Sequence, residues 1–172
     1  MAKNIEIKAR LDDLSKARRL ARKLKATPRG VLMQTDTYFR VGRGRLKLRE
    51  IHSPPVLAEL IWYERSDEAR ARKSTYLLAP VSDPRSLKMA LSAALGVLVV
   101  VRKRRELWMF RNVRIHLDQV AGLGRFVELE AVVGGRYNSA TSRRNLLQVQ
   151  TGLAIEKSML LSKSYSDLIR ER

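Results

Sequence analysis

The sequence lacks cysteine altogether and contains only two histidines, His52 and His116, in 172 residues. Without cysteine, the protein can have no disulfide bond, no thiolate zinc site and no cysteine nucleophile. Two histidines are too few for a histidine metal cluster. If the protein binds a metal, we therefore expect a hard cation that carboxylate oxygens hold.

Long hydrophobic runs are also missing. The longest apolar run lies around residues 97–101, which is far too short to cross a membrane. The N-terminus, MAKNIEIK, carries positive charge with no apolar segment behind it, so it does not resemble a signal peptide. We expect a cytoplasmic protein without membrane contact, and the chain length predicts one domain over residues 1–172.

Acidic residues are scarce: 17 stand against 35 basic residues, which gives a net charge of +18. Such an excess predicts a polyanionic partner, either nucleic acid on the outside or a phosphorylated ligand within. The segment KARRLARKLK, residues 16–25, places alanine and leucine on one helical stripe with bases around the rest. We interpret these bases as a solvated helix face in preference to an RNA or membrane contact.

What the sequence does contain is alternation with a period of two. In NIEIKAR, residues 4–10, apolar and polar side chains alternate, which is typical of a β-strand with one apolar and one polar face. Four further segments repeat the pattern. The polar faces of the five segments are Asn4, Glu6, Lys8 and Arg10; Arg45, Lys47 and Arg49; Lys103 and Arg105; Arg114, His116 and Asp118; and Glu128 and Glu130.

Helical segments separate these strands. Periodicity predicts a helix over 13–26, a turn at 28–30 and a helix over 139–152. In DPRSLKMALSAALG, Asp83 is a suitable N-cap, Pro84 occupies the first turn and Gly96 ends the helix. Strands and helices in this order predict an α+β fold.

Two arrangements explain the charged strand faces. An open antiparallel sheet would expose them to solvent, but like charges on neighbouring strands repel each other and would destabilise such a sheet. A closed antiparallel β-barrel would enclose a polar, charged lumen and place the apolar face outward under the helices. Bases in such a lumen need an anion, and the carboxylates between them need a cation. We favour a barrel built for a polyphosphate with divalent metals, with Glu6 on the metal and Lys8 on the phosphate.

The residues also resemble a known family. NIEIK is similar to the E-x-E-x-K signature of the CYTH superfamily, the triphosphate tunnel metalloenzymes, which include class IV adenylyl cyclases and thiamine and inorganic triphosphatases. Further matches follow in the expected order: TDTYF, GRLKLRE, LIWYER, VRKRREL, VRIHLDQVAGLGRFVELEA and SYSDLI. They cover nearly the whole chain and look most like the class IV adenylyl cyclase branch.

The resemblance implies a role for each matching residue. The implied catalytic residues are Glu6, Lys8 and Arg114. The implied ligands of Mg or Mn are Glu6, Glu128 and Glu130, with Asp118 as a neighbouring candidate. The implied triphosphate-binding residues are Lys8, Lys47, Arg49, Arg65, Lys103, Arg105 and Arg114.

One position departs from the signature, because Asn4 stands where the family has its first glutamate. An amide oxygen carries no charge, so we expect weaker cation binding. Three interpretations stay open: an enzyme that uses the remaining acids, an enzyme shifted to another phosphorylated substrate, and a tunnel that binds without turnover.

The resemblance implies metal-dependent chemistry on a triphosphate, and the lead prediction is conversion of ATP to cAMP and pyrophosphate. One alternative is hydrolysis of inorganic, thiamine or nucleoside triphosphate. The other is noncatalytic binding of polyphosphate, nucleotide or RNA, which the net charge and Asn4 favour. A homodimer is also implied.

Two residues have two interpretations each. His116 is more typical of a hydrogen-bonding residue of the lumen than of a metal ligand or general base, because no second histidine stands near it in sequence. Tyr165 fits either a residue that closes the tunnel mouth or a packing anchor of the C-terminal segment.

Overall fold

The computed structural model describes residues 2–65 and 71–172, and the side chains of Ala2, Arg65, Arg72 and Lys73 lie outside the described part. Its strands are β1 (Ala2–Arg10), β2 (Thr27–Phe39), β3 (Arg45–Ile51), β4 (Leu57–Arg65), β5 (Arg72–Pro80), β6 (Val97–Phe110), β7 (Val113–Val120) and β8 (Gly124–Val133). Its helices are α1 (Leu14–Lys23), α2 (Pro84–Leu95), α3 (Ser139–Gly152) and α4 (Tyr165–Arg170), and a short 3-10 helix spans Lys157–Met159.

The eight strands form one closed antiparallel barrel in the order β1-β5-β4-β3-β2-β6-β7-β8. Strand β1 closes it because it pairs with β5 on one side and with β8 on the other: Asn4 lies opposite Ser74 and opposite Val132. The α+β barrel prediction is therefore confirmed, and the open sheet is wrong. A closed sheet leaves no unpaired edge, so every strand contributes one of its faces to the same interior.

The apolar face of β1, β7 and β8 lies outside the barrel and packs against α1 and α3. Ile7, Ile115 and Leu129 are buried there together with Ala21 of α1 and Val149 of α3. Burial of one such aliphatic side chain stabilises the fold by about 1.5–3 kcal/mol, so this cluster holds the helices on the barrel. This packing requires the predicted orientation of the strands, with the charged face toward the interior and the apolar face outward.

A second apolar cluster closes one end of the barrel, where β7 and β8 meet in a hairpin. Phe126 and Tyr165 meet edge to face, with ring centroids 5.0 Å apart. Tyr38 and Val101 complete the cluster, and Leu168 of α4 packs against it. Because α4 and this cluster fill one end, the interior opens at the end that carries Asn4 and Glu130.

The helix boundaries follow from capping side chains. Asp83 accepts a hydrogen bond from the backbone N–H of Ser86, Pro84 lies at the first turn of α2, and Gly96 ends the helix with a φ of 74°. Asp13 and Asn138 cap α1 and α3 in the same way, through their side-chain oxygens. In the described part of the chain, no helix combines the length and apolarity that a membrane crossing needs.

The turn predicted at residues 28–30 is wrong. Strand β2 runs through this segment, and its pairing with β6 shifts by one residue between Pro28 and Gly30. Gly30 has a φ of 123°, which a glycine adopts without steric cost. A bulge therefore absorbs the proline and the glycine, and both flanks of the strand stay paired.

One ion pair ties α1 to the outer face of β6. Arg18 donates two hydrogen bonds to Glu106, from Nε at 2.8 Å and from Nη2 at 2.7 Å. Arg104, which has the outward parity predicted from the sequence, donates to the same carboxylate. The Arg18 hydrogen bonds lower the pKa of Glu106 to about 2, against the opposing effect of burial.

Replacing Glu106 tests this connection. Because the folded pKa of about 2 lies below the ordinary value of 4.5, the ion pair stabilises the fold above pH 4.5 and its contribution disappears as the pH falls toward 2. We expect Glu106→Gln to lower the free energy of unfolding at pH 7 by about 1–2 kcal/mol, after allowance for screening at the partly exposed Arg18. Urea unfolding at several pH values measures both the loss and its pH dependence.

Glu64 supplies a matched control. It accepts two hydrogen bonds from Arg43, but the Arg43 side chain is 82% exposed. Glu64→Gln should change stability by less than about 0.5 kcal/mol at every pH. Equal losses for the two variants would contradict the structural role assigned to Glu106.

Candidate active site

The inward side chains of the barrel line a cavity of about 300 Å³. Every strand contributes to it, and Tyr165 from α4 forms part of its closed end. Its charged lining residues are the bases Lys8, Lys47, Arg49, Lys103, Arg105 and Arg114 and the acids Glu6, Glu59, Glu128 and Glu130. The cavity therefore presents both signs of charge to one ligand.

Asp36 is the buried counterion of three of these bases. One of its oxygens accepts from Lys47 Nζ at 2.9 Å and from Lys103 Nζ at 3.4 Å, and Arg49 donates to both oxygens at 2.8 and 2.9 Å. Burial opposes ionisation, but the charges of Arg49, Lys103 and Lys47 outweigh it and hold the pKa of Asp36 well below 3.8. The carboxylate fixes the three cations in one place.

Of the three bases, Lys103 is the one whose charge Asp36 compensates least. Burial, and next the charge of Arg105, lower its pKa to about 7, although Asp36 acts in the opposite direction. The ammonium group also lies 5.3 Å from the centroid of the Tyr165 ring. Near neutral pH, Lys103 is therefore only partly protonated, and an anion in the cavity would favour its charged form.

Asp118 positions Arg105 in the same manner. Arg105 donates to both oxygens of Asp118, from Nε at 2.7 Å and from Nη2 at 2.6 Å, and Tyr165 donates its hydroxyl to Asp118 at 2.9 Å. Lys8 lies 3.7 Å from the centroid of the Tyr165 ring. Tyr165 thus both lines the cavity and packs in the closed end, so the two interpretations of this residue hold together.

Three of the four lining glutamates lie on the adjacent strands β1 and β8, beside β7. The register places Glu6 opposite Glu130, and Glu130 opposite Arg114 on β7. Burial, and next the charge of Glu6, raise the pKa of Glu130. Two acids that repel each other in one partly buried row form a site for a cation.

The next row of the same wall contains Lys8, Glu128 and His116. Lys8 Nζ lies 2.9 Å from Glu128 Oε1, and Arg105 donates to Glu128 Oε2. Burial opposes ionisation of Glu128, but Lys8 and Arg105 hold its pKa well below 4.5. Burial and Arg105 likewise hold the pKa of His116 well below 6.5, so its imidazole is neutral.

Two buried polar atoms on this side of the barrel have no hydrogen-bond partner within the described part of the chain: Asn4 Oδ1 and His116 Nδ1. Both residues are 5% exposed. Unsatisfied acceptors beside mutually repelling carboxylates fit a divalent cation, because such an ion takes several oxygen or nitrogen ligands at once. The residues present are therefore suited to hold a metal.

The wall formed by β4 and β5 is different in character. It contributes Ile61, Tyr63, Tyr76 and Leu78, with Glu59 near the open end. Leu78 is 46% exposed, although it lies on the inward face. An apolar and aromatic surface faces the charged walls, and it suits an organic group on the ligand.

Most of the site residues predicted from the sequence lie in or beside this cavity. Six predicted triphosphate-binding residues and the predicted metal ligands Glu6, Glu128 and Glu130 line the same cavity. Asp118 is fully buried, and its oxygens already accept from Arg105 and Tyr165. The side chain of Arg65 lies outside the described residues, so its predicted role stays a prediction.

Sequence reasoning missed Asp36 and the cavity tyrosines Tyr38, Tyr63 and Tyr76. Alternation in MQTDTYF gives Gln34, Asp36 and Tyr38 one parity, and this signal was sufficient to place Asp36 inward. Tyr63 and Tyr76 share the parity of the apolar residues Ile61 and Leu78. Trp108 is a buried residue of the outer cluster.

Comparison with known proteins identifies the family. The CYTH domain model matches residues 2–165, so the chain belongs to the CYTH domain family and the resemblance is confirmed. A comparison with curated proteins found no match.

Solved structures share the fold. A protein from Pyrococcus horikoshii OT3 is 24% identical with a TM-score of 0.83, covering 96% of this chain and 98% of that chain. A candidate adenylate cyclase from Vibrio parahaemolyticus is 17% identical with a TM-score of 0.77, covering 97% of each chain. A candidate adenylyl cyclase from Hippeastrum, described as having a dominant triphosphatase activity, is 13% identical with a TM-score of 0.63, covering 99% of this chain and 96% of that one. At these identities the likeness shows the fold alone.

Lys103 gives a pH-dependent prediction. An anion in the cavity should raise the pKa of Lys103 above about 7, so binding should take up a proton and weaken as the pH rises past that value. Calorimetric titration with tripolyphosphate at pH 8, in buffers of different ionisation enthalpy, measures the uptake. We expect up to about one proton more for the native protein than for Lys103→Met.

Lys163→Met, at a lysine that is about half exposed and outside the cavity, is the control and should retain the native proton uptake. If Lys103→Met takes up as many protons as the native protein, Lys103 does not change its protonation on binding.

Proposed function

We propose that the protein carries out metal-dependent chemistry on a nucleoside triphosphate inside the barrel, with conversion of ATP to cAMP and pyrophosphate as the lead reaction. One cavity of about 300 Å³ brings together a carboxylate wall, six bases and an apolar wall, and this observation supports the proposal. These are the three kinds of contact that a metal, a triphosphate and an organic group require.

The bases would hold and neutralise the triphosphate. Lys47, Arg49 and Lys103 are fixed by Asp36, and Arg105 is fixed by Asp118, so these cations need little reorganisation when a phosphate chain enters. Arg65 joins this set as a prediction from the family pattern. Preorganised positive charge is the main catalytic contribution that a protein makes to phosphoryl transfer.

The metal would be held by Glu6, Glu128 and Glu130 at the carboxylate wall. A bound divalent cation would supply charge neutralisation on the phosphate oxygens and orient the reacting groups. Lys8, which pairs with Glu128, and Arg114, 3.7 Å from Glu130, would act from the protein side as cations beside the reacting phosphate. Asp118 stays a candidate neighbour of the metal, and its contacts favour the positioning of Arg105.

In the cyclisation, the ribose 3′-hydroxyl loses its proton to solvent and its oxygen forms a bond to the α-phosphorus. The bond from that phosphorus to the bridging oxygen breaks, and pyrophosphate leaves. The wall of Ile61, Tyr63, Tyr76 and Leu78 supports a substrate that carries a base and a sugar, because inorganic triphosphate has no group to place there. This wall is the reason for preferring a nucleotide.

Hydrolysis of a triphosphate is the second candidate. Water attacks the terminal phosphorus, the bond from that phosphorus to the bridging oxygen breaks, the remaining diphosphate is the leaving group, and orthophosphate forms with release of the water proton to solvent. Asn4 does not choose between the two reactions, because an amide in place of a carboxylate weakens the metal site for both; it favours binding without turnover. The cytoplasmic location and the homodimer stay predictions, and binding of polyphosphate or RNA without turnover is the outcome if no product forms.

A product assay separates these functions. Purified protein is incubated with ATP, and separately with tripolyphosphate, each with Mg or Mn, and cAMP, pyrophosphate and orthophosphate are resolved. We expect cAMP and pyrophosphate in equal amounts from ATP, and a loss of at least about 100-fold in Glu128→Gln and Glu130→Gln, because each removes a charged ligand.

Glu64→Gln, outside the cavity, should keep native activity. Orthophosphate without cAMP would assign the protein as a triphosphatase instead. Binding of ATP without any product would refute the enzyme proposal and leave a nucleotide or polyphosphate receptor.

The apolar wall makes a separate prediction about substrate choice. We expect Tyr76→Ala to raise the KM for ATP roughly tenfold and to leave that for tripolyphosphate unchanged, because base stacking on an aromatic ring contributes about 1–3 kcal/mol. Steady-state or binding measurements with both compounds provide the comparison.

Leu77→Ala is the matched control, since Leu77 is the next residue of β5, has the outward parity and is 52% exposed. Equal effects of Tyr76→Ala on ATP and tripolyphosphate would argue against a base site at this wall.

A further inference from the structure

His116 stands out because its buried ring nitrogen faces two acids without bonding to either. Nδ1 lies 4.0 Å from Glu128 Oε2 and 3.8 Å from Glu130 Oε1, and it has no hydrogen-bond partner among the described residues. The residue is only 5% exposed. A buried nitrogen acceptor left unsatisfied costs free energy unless a ligand uses it.

The spacing of these atoms suits a single ion. Ligand atoms of His116, Glu128 and Glu130 all lie within 4.8 Å of one another. Two ligands that each lie about 2.1 Å from one ion are about 3 to 4.2 Å apart, depending on the angle between them. The two distances from Nδ1, 3.8 and 4.0 Å, fall in that range.

We propose that His116 is a direct ligand of the cavity metal through Nδ1, and that with Glu128 and Glu130 it forms a mixed nitrogen and oxygen site. This inference deepens the proposed function, on which its relevance to catalysis rests, and it changes the expectation that carboxylates alone hold the metal. The imidazole on β7 would contribute the ligand that Asn4, on β1, does not supply as a charged oxygen.

The chemical class of the ion follows from the donor atoms. Imidazole nitrogen binds first-row transition metals such as Co²⁺, Zn²⁺ and Mn²⁺ better than Mg²⁺, which prefers oxygen donors and keeps its water. A site with one nitrogen and two carboxylates should therefore bind Co²⁺ or Zn²⁺ more tightly than Mg²⁺. Preference for such an ion distinguishes this site from one built of carboxylates only.

The neighbouring cations do not prevent binding. Arg105 and Lys8 both contact Glu128, but each carboxylate oxygen has two lone pairs and can accept from a base while it faces an ion. Arg114 is 3.7 Å from Glu130, beyond a hydrogen bond. The Nδ1 atom of His116 needs no such sharing, so the imidazole is the most available ligand of the three.

Metal titration without any triphosphate tests the proposal. Metal-free protein is titrated with Co²⁺ and separately with Mg²⁺, with calorimetry for affinity and visible absorption for the Co²⁺ environment. We expect one Co²⁺ to bind at least about tenfold more tightly than Mg²⁺. His116→Gln should weaken Co²⁺ binding about tenfold or more and change Mg²⁺ binding by less than about threefold.

The chain offers a matched control because it contains only one other histidine. His52 is exposed and bonds to Thr35 Oγ1, outside the cavity. His52→Gln should keep native Co²⁺ affinity and absorption. Equal losses of Co²⁺ and Mg²⁺ affinity in His116→Gln, or no loss of either, would overturn the proposal.

A second measurement keeps the test decisive if His116→Gln does not fold. Protein labelled with ¹⁵N at histidine is saturated with Zn²⁺, and the ring nitrogens are observed by NMR, with His52→Gln used for assignment. The expected result is a metal-bound Nδ1 and a protonated Nε2 on His116. Unchanged His116 nitrogens at saturation would overturn the proposal.

The two proposals fail separately. Co²⁺ or Zn²⁺ bound to His116 in a protein that forms no product from ATP or tripolyphosphate would support the site and refute the enzyme. Product formed with Mg²⁺, without any contact between metal and His116, would support the enzyme and refute the site.

Discussion

Enclosing charges of both signs in a closed barrel is the constraint on which this structure depends. A buried cation without a partner costs several kcal/mol, so the bases that face inward require fixed counterions. Asp36 serves Lys47, Arg49 and Lys103, and Asp118 serves Arg105. Both aspartates lie behind the bases and are almost inaccessible, which leaves the cationic groups directed toward the cavity. These counterions offset part of the cost of burying the bases, and the cations still face the cavity.

On the opposite wall, formed by β1, β7 and β8, the polar groups are less completely paired. Glu6 and Glu130 repel each other across β1 and β8, and neither Asn4 Oδ1 nor His116 Nδ1 has a hydrogen-bond partner among the described residues. On this wall Lys8 and Arg105 pair with Glu128, while Asn4 and His116 keep buried atoms that no described residue binds. This asymmetry would orient a ligand that combines an anion with a cation. The apolar surface on β4 and β5 would then favour an organic triphosphate over an inorganic one.

Much of this arrangement follows from residue parity. Alternation placed Glu6, Lys8, Lys47, Arg105 and Glu128 on one face of their strands, and apolar residues such as Ile7 and Leu129 on the other. Parity cannot decide whether a sheet closes, since closure depends on the pairing of β1 with β5, which are far apart in sequence. Parity also does not predict contacts between strands: the structure places Glu128 opposite His116 on β8 and brings Glu130 within 3.8 Å of its Nδ1. The sequence did not predict the bulge at Gly30, because proline and glycine are also typical of a turn.

The net charge of the protein is a poor guide to what the cavity binds. Of 35 basic residues, six line the cavity among the described side chains, where four glutamates face them and two aspartates lie behind. Inside the described lining, acids and bases nearly balance, so the surplus of +18 belongs mainly to the exterior, including the bases of α1. Affinity for a triphosphate must then come from the placement of individual cations and of the metal ligands, and exterior charge would act mainly on the rate at which anions arrive.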